Sequence, residues 1–99
     1  MIDFTILLFK FIDDYELIET DVYRRAEIDR KLFSKIRCGQ VPSKKTIIKL
    51  CLSIGLTLEE SELLLMKAGY ALSDCIEFDI KAVDAIKNKD INFIYKEEI

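Results

Sequence analysis

Apolar residues along this chain recur at spacings of three and four rather than two, the period of a helix with one buried face. Phe4, Leu7, Leu8, Phe11 and Ile12 form a wide stripe, which predicts a first helix over about 2–14. Thr20 as an N-cap, with Asp21 in the first turn where the helix dipole favours an acid, predicts a short second helix over about 21–26. The chain is then expected to turn at Glu27 and Ile28. Asp29 is the next capping residue, and Leu32, Phe33 and Ile36 follow at helical spacing, so a third helix is expected over 30–37. Gly39 stops it, because glycine takes the left-handed conformation that a helix C-terminus commonly needs. Ser43, behind Pro42, caps a fourth helix over about 44–54, with Ile47, Ile48, Leu50, Cys51 and Ile54 on its apolar side. Thr57 with Glu60 three residues on is a capping box that opens a fifth helix through about Lys67, ended by Gly69. Two short helices over about 78–86 and 91–99, divided at Asn88 and capped at Asp90, complete an all-α fold.

Composition narrows this further. With 51% hydrophobic residues in 99 positions the chain closes one core, and three Gly with one Pro leave room only for short connections. The apolar opening from Ile2 to Ile12 is interrupted by Asp3 and Lys10, lacks a basic leader and cleavage site, and falls well short of the roughly 20 residues that span a bilayer. It is expected to be a buried first helix, with no membrane involvement. Cys38, Cys51 and Cys75 are odd in number and contain no C-x-x-C pair, which predicts neither a disulfide framework nor a zinc site, and a reducing cytoplasm. There is no His, no Gly-rich phosphate loop and no nucleophile motif, so neither an enzyme nor a cofactor or metal is expected. The visible carboxylates lie at helix starts or on charged faces, where capping and solvation account for them.

Charge changes the picture most. The net charge is -3, but it is divided into blocks. Residues 1–19 carry one Lys against five acids, a net of -4. Residues 20–50 carry nine Lys or Arg against three acids, a net of +6, and residues 51–99 carry five Lys against ten acids, a net of -5. A domain charged in this way presents one face to phosphates while its others repel them, which orients docking.

The basic block has a recognisable form. The stretch TDVYRRAEIDRKLFSKIRCGQVPSKKTIIKLCLSIGL, residues 20–56, resembles the lambdoid-repressor-like helix-turn-helix family, also called the Xre family. The resemblance rests on Val22 in the core of the second helix, Ile28 before the cap and Ile36 in the core of the third helix. Gly39 at its end, Pro42-Ser43 before the fourth helix and Ile54-Gly55-Leu56 closing that helix complete it. With the first and fifth helices added, it extends over about residues 2–70. Two positions depart from the family pattern: Tyr23 stands where Ala is usual, and Glu27 where Gly is usual in the turn. A left-handed Glu costs on the order of 1 kcal/mol.

The resemblance implies a five-helix, repressor-like helix-turn-helix domain over 1–70. Residues 71–99 follow as a helical extension of one or two short helices, packed on the same domain or at a dimer interface. It also implies a regulator, a repressor by this analogy, that binds double-stranded DNA with the third helix in the major groove. The base-reading positions then fall on Arg30, Lys31 and Lys35, whose side chains donate to the O6 and N7 acceptors of guanine or, alternatively, contact phosphate. Ser43, Lys44 and Lys45, at the start of the fourth helix, fall where the family meets the sugar-phosphate backbone. Arg24, Arg25 and Ser34 belong to the same phosphate-contacting set, and Arg37 either joins it or pairs with an acid of the second helix. Cys38 is read as a bystander thiol beside that surface.

Family members usually bind as two-fold dimers on two half-sites, so a homodimer is expected. Phe78, Ile80, Val83, Ile86, Ile91, Phe93, Ile94 and Tyr95 form either its interface or the lid of the monomer's own core. The rival expectation is a protein partner: a helical adaptor or antitoxin-like module that keeps the fold without specific DNA binding. The pI near 5.0 supports it.

Overall fold

The computed structural model describes residues 3–96. Seven helices follow one another: α1 (Phe4–Asp14), α2 (Glu19–Arg25), α3 (Arg30–Arg37), α4 (Lys44–Ile54), α5 (Leu58–Lys67), α6 (Glu77–Asn88) and α7 (Asn92–Lys96). No strand occurs among the described residues, so the all-α expectation holds at that level. None of these helices is long and apolar enough to cross a membrane.

α4 is the hub. Ile47, Ile48 and Leu50 are fully buried, Cys51, Leu52, Ser53 and Ile54 further along are buried, and α2, α5 and α6 all pack on this helix. Ser43 starts it as expected, its hydroxyl accepting the Thr46 N–H at 3.3 Å. Its C-terminal carbonyls, which have no partner inside the helix, are bonded by two cations: Arg25 Nη2 donates to Ser53 O at 2.8 Å, and Lys89 Nζ to Gly55 O at 2.8 Å. Both also oppose the negative end of the helix dipole. The α1 stripe of Phe4, Leu7, Leu8, Phe11 and Ile12 is buried in the same core, which reaches α6 through Ala82, Ala85 and Ile86 and α7 through Phe93 and Ile94.

The local signals place α3, α4 and α5 where the sequence predicts them, including the reciprocal Thr57–Glu60 capping box. α2 is a correction. It begins at Glu19 rather than Asp21, because the Val22 N–H donates to Ile18 O at 3.1 Å and closes the first turn there. Thr20 is therefore inside the helix, and Ile18 holds the cap position with no side-chain bond. Asp29 sits at the cap position of α3 but likewise makes no side-chain cap bond. At the start of the chain, the expected helical residue Ile2 lies outside the described residues; Asp3 caps α1 by accepting the Ile6 N–H at 2.9 Å.

α6 starts at Glu77 and runs on beyond residue 86 to Asn88, where Lys89, left-handed with φ 52°, caps it. Asp90 then accepts the Asn92 N–H at 3.1 Å before α7. The expected extension of that last helix to Ile99 passes beyond the described residues. Of the eight C-terminal apolar residues considered for a dimer interface, Ile86, Phe93 and Ile94 are buried, Phe78 and Ile91 are half-buried against the same core, and Val83 is half-buried. Ile80 and Tyr95 stay exposed, and the Tyr95 hydroxyl donates to Arg25 O at 3.2 Å. The C-terminal segment thus completes the monomer's core.

Candidate nucleic-acid interface

The connection between α2 and α3 decides how α3 is presented. Glu27 adopts φ 56°, the left-handed conformation that glycine favours. Its N–H donates to Arg24 O at 3.1 Å and the Ile28 N–H to Tyr23 O at 2.9 Å, the paired bonds of a Schellman ending. The turn keeps its geometry despite the glutamate. Ile28, following at once, is buried and anchors the turn to the core.

Tyr23, the second departure, is accommodated at the α2–α3 contact. It is half-buried, with its ring 5.1 Å from that of Phe33, and Phe9 of α1 meets Phe33 edge-on at 5.5 Å. Phe33 and Ile36 are thus gripped from behind while the opposite side of α3 faces outward. On that outer side Arg30, Lys31, Ser34 and Lys35 are all exposed. Arg24, Arg30, Lys31 and Lys35 have no ion-pair partner among the described residues.

An open polar groove of about 430 Å³ runs between α2 and α3. It brings together Arg24, Arg30, Ser34 and Arg37 from the predicted set with Thr20 and Tyr23, which the sequence reading did not nominate. Thr20, Tyr23 and Arg24 lie at i, i+3 and i+4, so their common face on α2 was a readable signal. Glu19 also lines the groove and forms an ion pair with Arg37, whose guanidinium carbon lies 4.8 Å from the centre of the Phe9 ring. Of the two roles open to Arg37, pairing with an acid of the second helix is the one the structure places.

The other basic residues have contacts of their own, Lys45 while remaining exposed. Arg25 is exposed but is turned to the carbonyl of Ser53. Lys45 lies over the Phe78 ring at 5.5 Å. Lys44 donates to Asp79 Oδ2 at 2.6 Å, and that same oxygen accepts the Ser73 N–H at 2.8 Å. Asp79 is 1% exposed, so the expectation that capping and solvation account for the carboxylates is corrected here. Burial alone raises its pKa, but the Lys44 hydrogen bond, the Ser73 N–H and the Lys44 charge outweigh this and hold it below the ordinary Asp value. Ser43 uses its hydroxyl on Thr46, as the cap.

Two further points bear on chemistry. Burial pushes the Cys51 thiol up to about 12, which makes it unreactive, while Cys38 and Cys75 are free and exposed. Among the described residues no group of three or more Cys, Asp or Glu is placed to hold a metal ion. No protein-family model, curated protein or solved structure matches this chain.

Proposed function

We propose that the chain is a non-enzymatic, cytoplasmic transcriptional regulator of the Xre-like helix-turn-helix type, a repressor by analogy, that binds double-stranded DNA sequence-specifically. The observation that carries this reading is α3 itself: a helix fixed from behind by Phe33 and Ile36, with Arg30, Lys31 and Lys35 exposed and unpaired on its outer side. In the major groove these three side chains donate to guanine acceptors, each good pair worth roughly 1–3 kcal/mol of discrimination. Arg24 and Ser34, across the polar groove, hold the flanking phosphate backbone and set the register. Lys45 adds a phosphate contact from α4. The domain acts as a homodimer on two half-sites about one helical turn apart.

Arg30→Ala is expected to relax base preference at one position, whereas Lys45→Ala weakens all duplexes alike and flattens the salt dependence by roughly one unit. Uniform weakening by both variants would remove Arg30 from the base-reading set.

A second reading is a protein-interaction module with the same fold. It is favoured by the internal pairing of Arg37 with Glu19 and of Lys44 with Asp79, which makes the basic surface weaker than the segment charge of +6 suggests. A stable complex with another protein and no preference for one duplex over its scramble would select it.

A further inference from the structure

Away from α2, α3 and α4 lies a second concavity of opposite character. It opens between α5, the 68–76 connection and α6, has a volume of about 310 Å³, and is lined by Leu58, Leu72, Ile80 and Val83 with Glu62 and Asp74 at its sides. An apolar row starts at the cap of α6 and continues along it: Ile76, Ile80 and Val83 stand at i, i+4 and i+7, and the first two are 52% and 50% exposed. Along α5, Met66 continues the row of Leu58 and Glu62 and is 59% exposed, a flexible side chain suited to a contact surface. At the groove itself Ile80 is half-exposed and Leu58, Leu72 and Val83 are half-buried, a cluster that marks a site of interaction rather than ordinary surface scatter.

The groove is preformed. Ser73 is tied to Asp79 at 2.8 Å, and its hydroxyl accepts the Cys75 N–H at 3.0 Å, so the connection that forms one wall is hydrogen-bonded in place. The charge around it is one-sided: Glu62 and Asp74 line it, no cation does, and neither carboxylate has an ion-pair partner among the described residues. Lys81, the cation nearest Ile80 in sequence, is paired with Glu77 at 3.2 Å.

We propose that this groove docks an amphipathic helix of another protein, one with leucine-type side chains along one face and Lys or Arg flanking them. The apolar row takes the anchors in the helix-in-groove manner, and the two carboxylates select basic flanks. A second copy of this chain fits less well, because a two-fold contact through the groove gathers Glu62 and Asp74 of both copies into one interface with no cation lining it. The proposal uses no residue of the DNA-facing surface and stands or falls independently of it.

The test uses three labelled synthetic peptides in anisotropy titrations with the whole chain. One is helical, with leucines at i, i+4 and i+7 and flanking lysines; the second carries glutamates in place of the lysines; the third is a scramble of the first. The first is expected to bind, with the other two weaker by roughly tenfold or more. Ile80→Glu, at a half-exposed position that leaves the core intact, and the double variant Glu62→Lys with Asp74→Lys should each weaken the first peptide by a similar factor. Absence of binding, equal binding of the scramble, or indifference to both variants overturns the proposal. So does a concentration-dependent dimer in sedimentation that Ile80→Glu abolishes, which would assign the groove to a second copy.

Discussion

α3 and α4 are neighbouring amphipathic helices built on similar patterns, yet they are used in different ways. α4 buries seven of its eleven residues and is packed by helices on several sides, whereas α3 buries only Phe33 and Ile36 of its eight. The reason is visible in the side chains. α4 alternates its few polar residues with Ile, Leu and Cys around most of its circumference. α3 confines its apolar groups to one narrow stripe and surrounds that stripe with Arg, Lys and Ser. α4 is scaffold; α3 is a charged surface held from behind by Phe9 of α1 and Tyr23 of α2. Stability and recognition should therefore respond to different residues.

Truncation in α4 should give the largest effect. Leu50→Ala removes a fully buried side chain from the hub and is expected to destabilise the fold by about 2–5 kcal/mol in urea denaturation. Lys35→Ala on the exposed side of α3 should change stability by less than about 0.5 kcal/mol. Similar losses from the two variants would break the division of labour.

Next comes the ionic link between α4 and α6. Asp79→Asn leaves the Lys44 ammonium facing a neutral amide, and because Lys44 is partly exposed and can regain water, a loss of about 1–3 kcal/mol is expected. The pH dependence has a definite sign. The pKa of Asp79 is lower in the folded chain than in the unfolded one, so its contribution is present above about pH 4 and is lost as pH falls through the folded value. The wild type should therefore lose stability on acidification more steeply than Asp79→Asn. At the alkaline end, the hydrogen bond to Glu60, together with burial and the Glu60 charge, raises Tyr15 to about 12. That contribution is complete below about pH 10 and is lost as pH rises through about 12, a second loss that the Asp79 variant should leave unchanged.

A smaller effect, and a gain, is expected at the turn. Glu27→Gly relieves a left-handed non-glycine residue at the turn that presents α3, and a stabilisation of about 0.5–1 kcal/mol is expected from thermal unfolding. DNA affinity should be unchanged, because the glutamate already holds the turn in the conformation that glycine would adopt.

How much of this was legible beforehand follows from the range of each interaction. α3, α4 and α5 were readable to the residue because their boundary signals are local: the Asp29 position, the Ser43 cap, the Thr57–Glu60 box and the glycines at 39 and 69. α2 was displaced by two residues because its cap, Ile18, carries no side-chain signal. The candidate surface was legible as a set of cations but not as a set of free ones. Lys44 meets Asp79 across 35 positions, which no local pattern encodes, whereas for Arg37 the pairing with an acid of the second helix was one of two roles left open and the packing decided it. A segment charge counts residues, while the field at a surface depends on which of them are already paired. Ile80 and Val83 were legible as candidates for an interface or for the core, but the groove itself was hidden, since only the packing of α5 and α6 leaves it between them.

The proposal is that α3 reads sequence from an outer side while Tyr23 and Phe9 hold Phe33 from behind. It is tested most directly by selecting bound duplexes from a random pool at near-physiological salt, then titrating the enriched duplex against its scramble by anisotropy. Enrichment of an inverted repeat with half-sites about one helical turn apart, bound at least roughly a thousandfold more tightly than the scramble, is the expected result. Equal affinity for the two duplexes would contradict the claim and assign the exposed cations of α3 to a partner other than DNA.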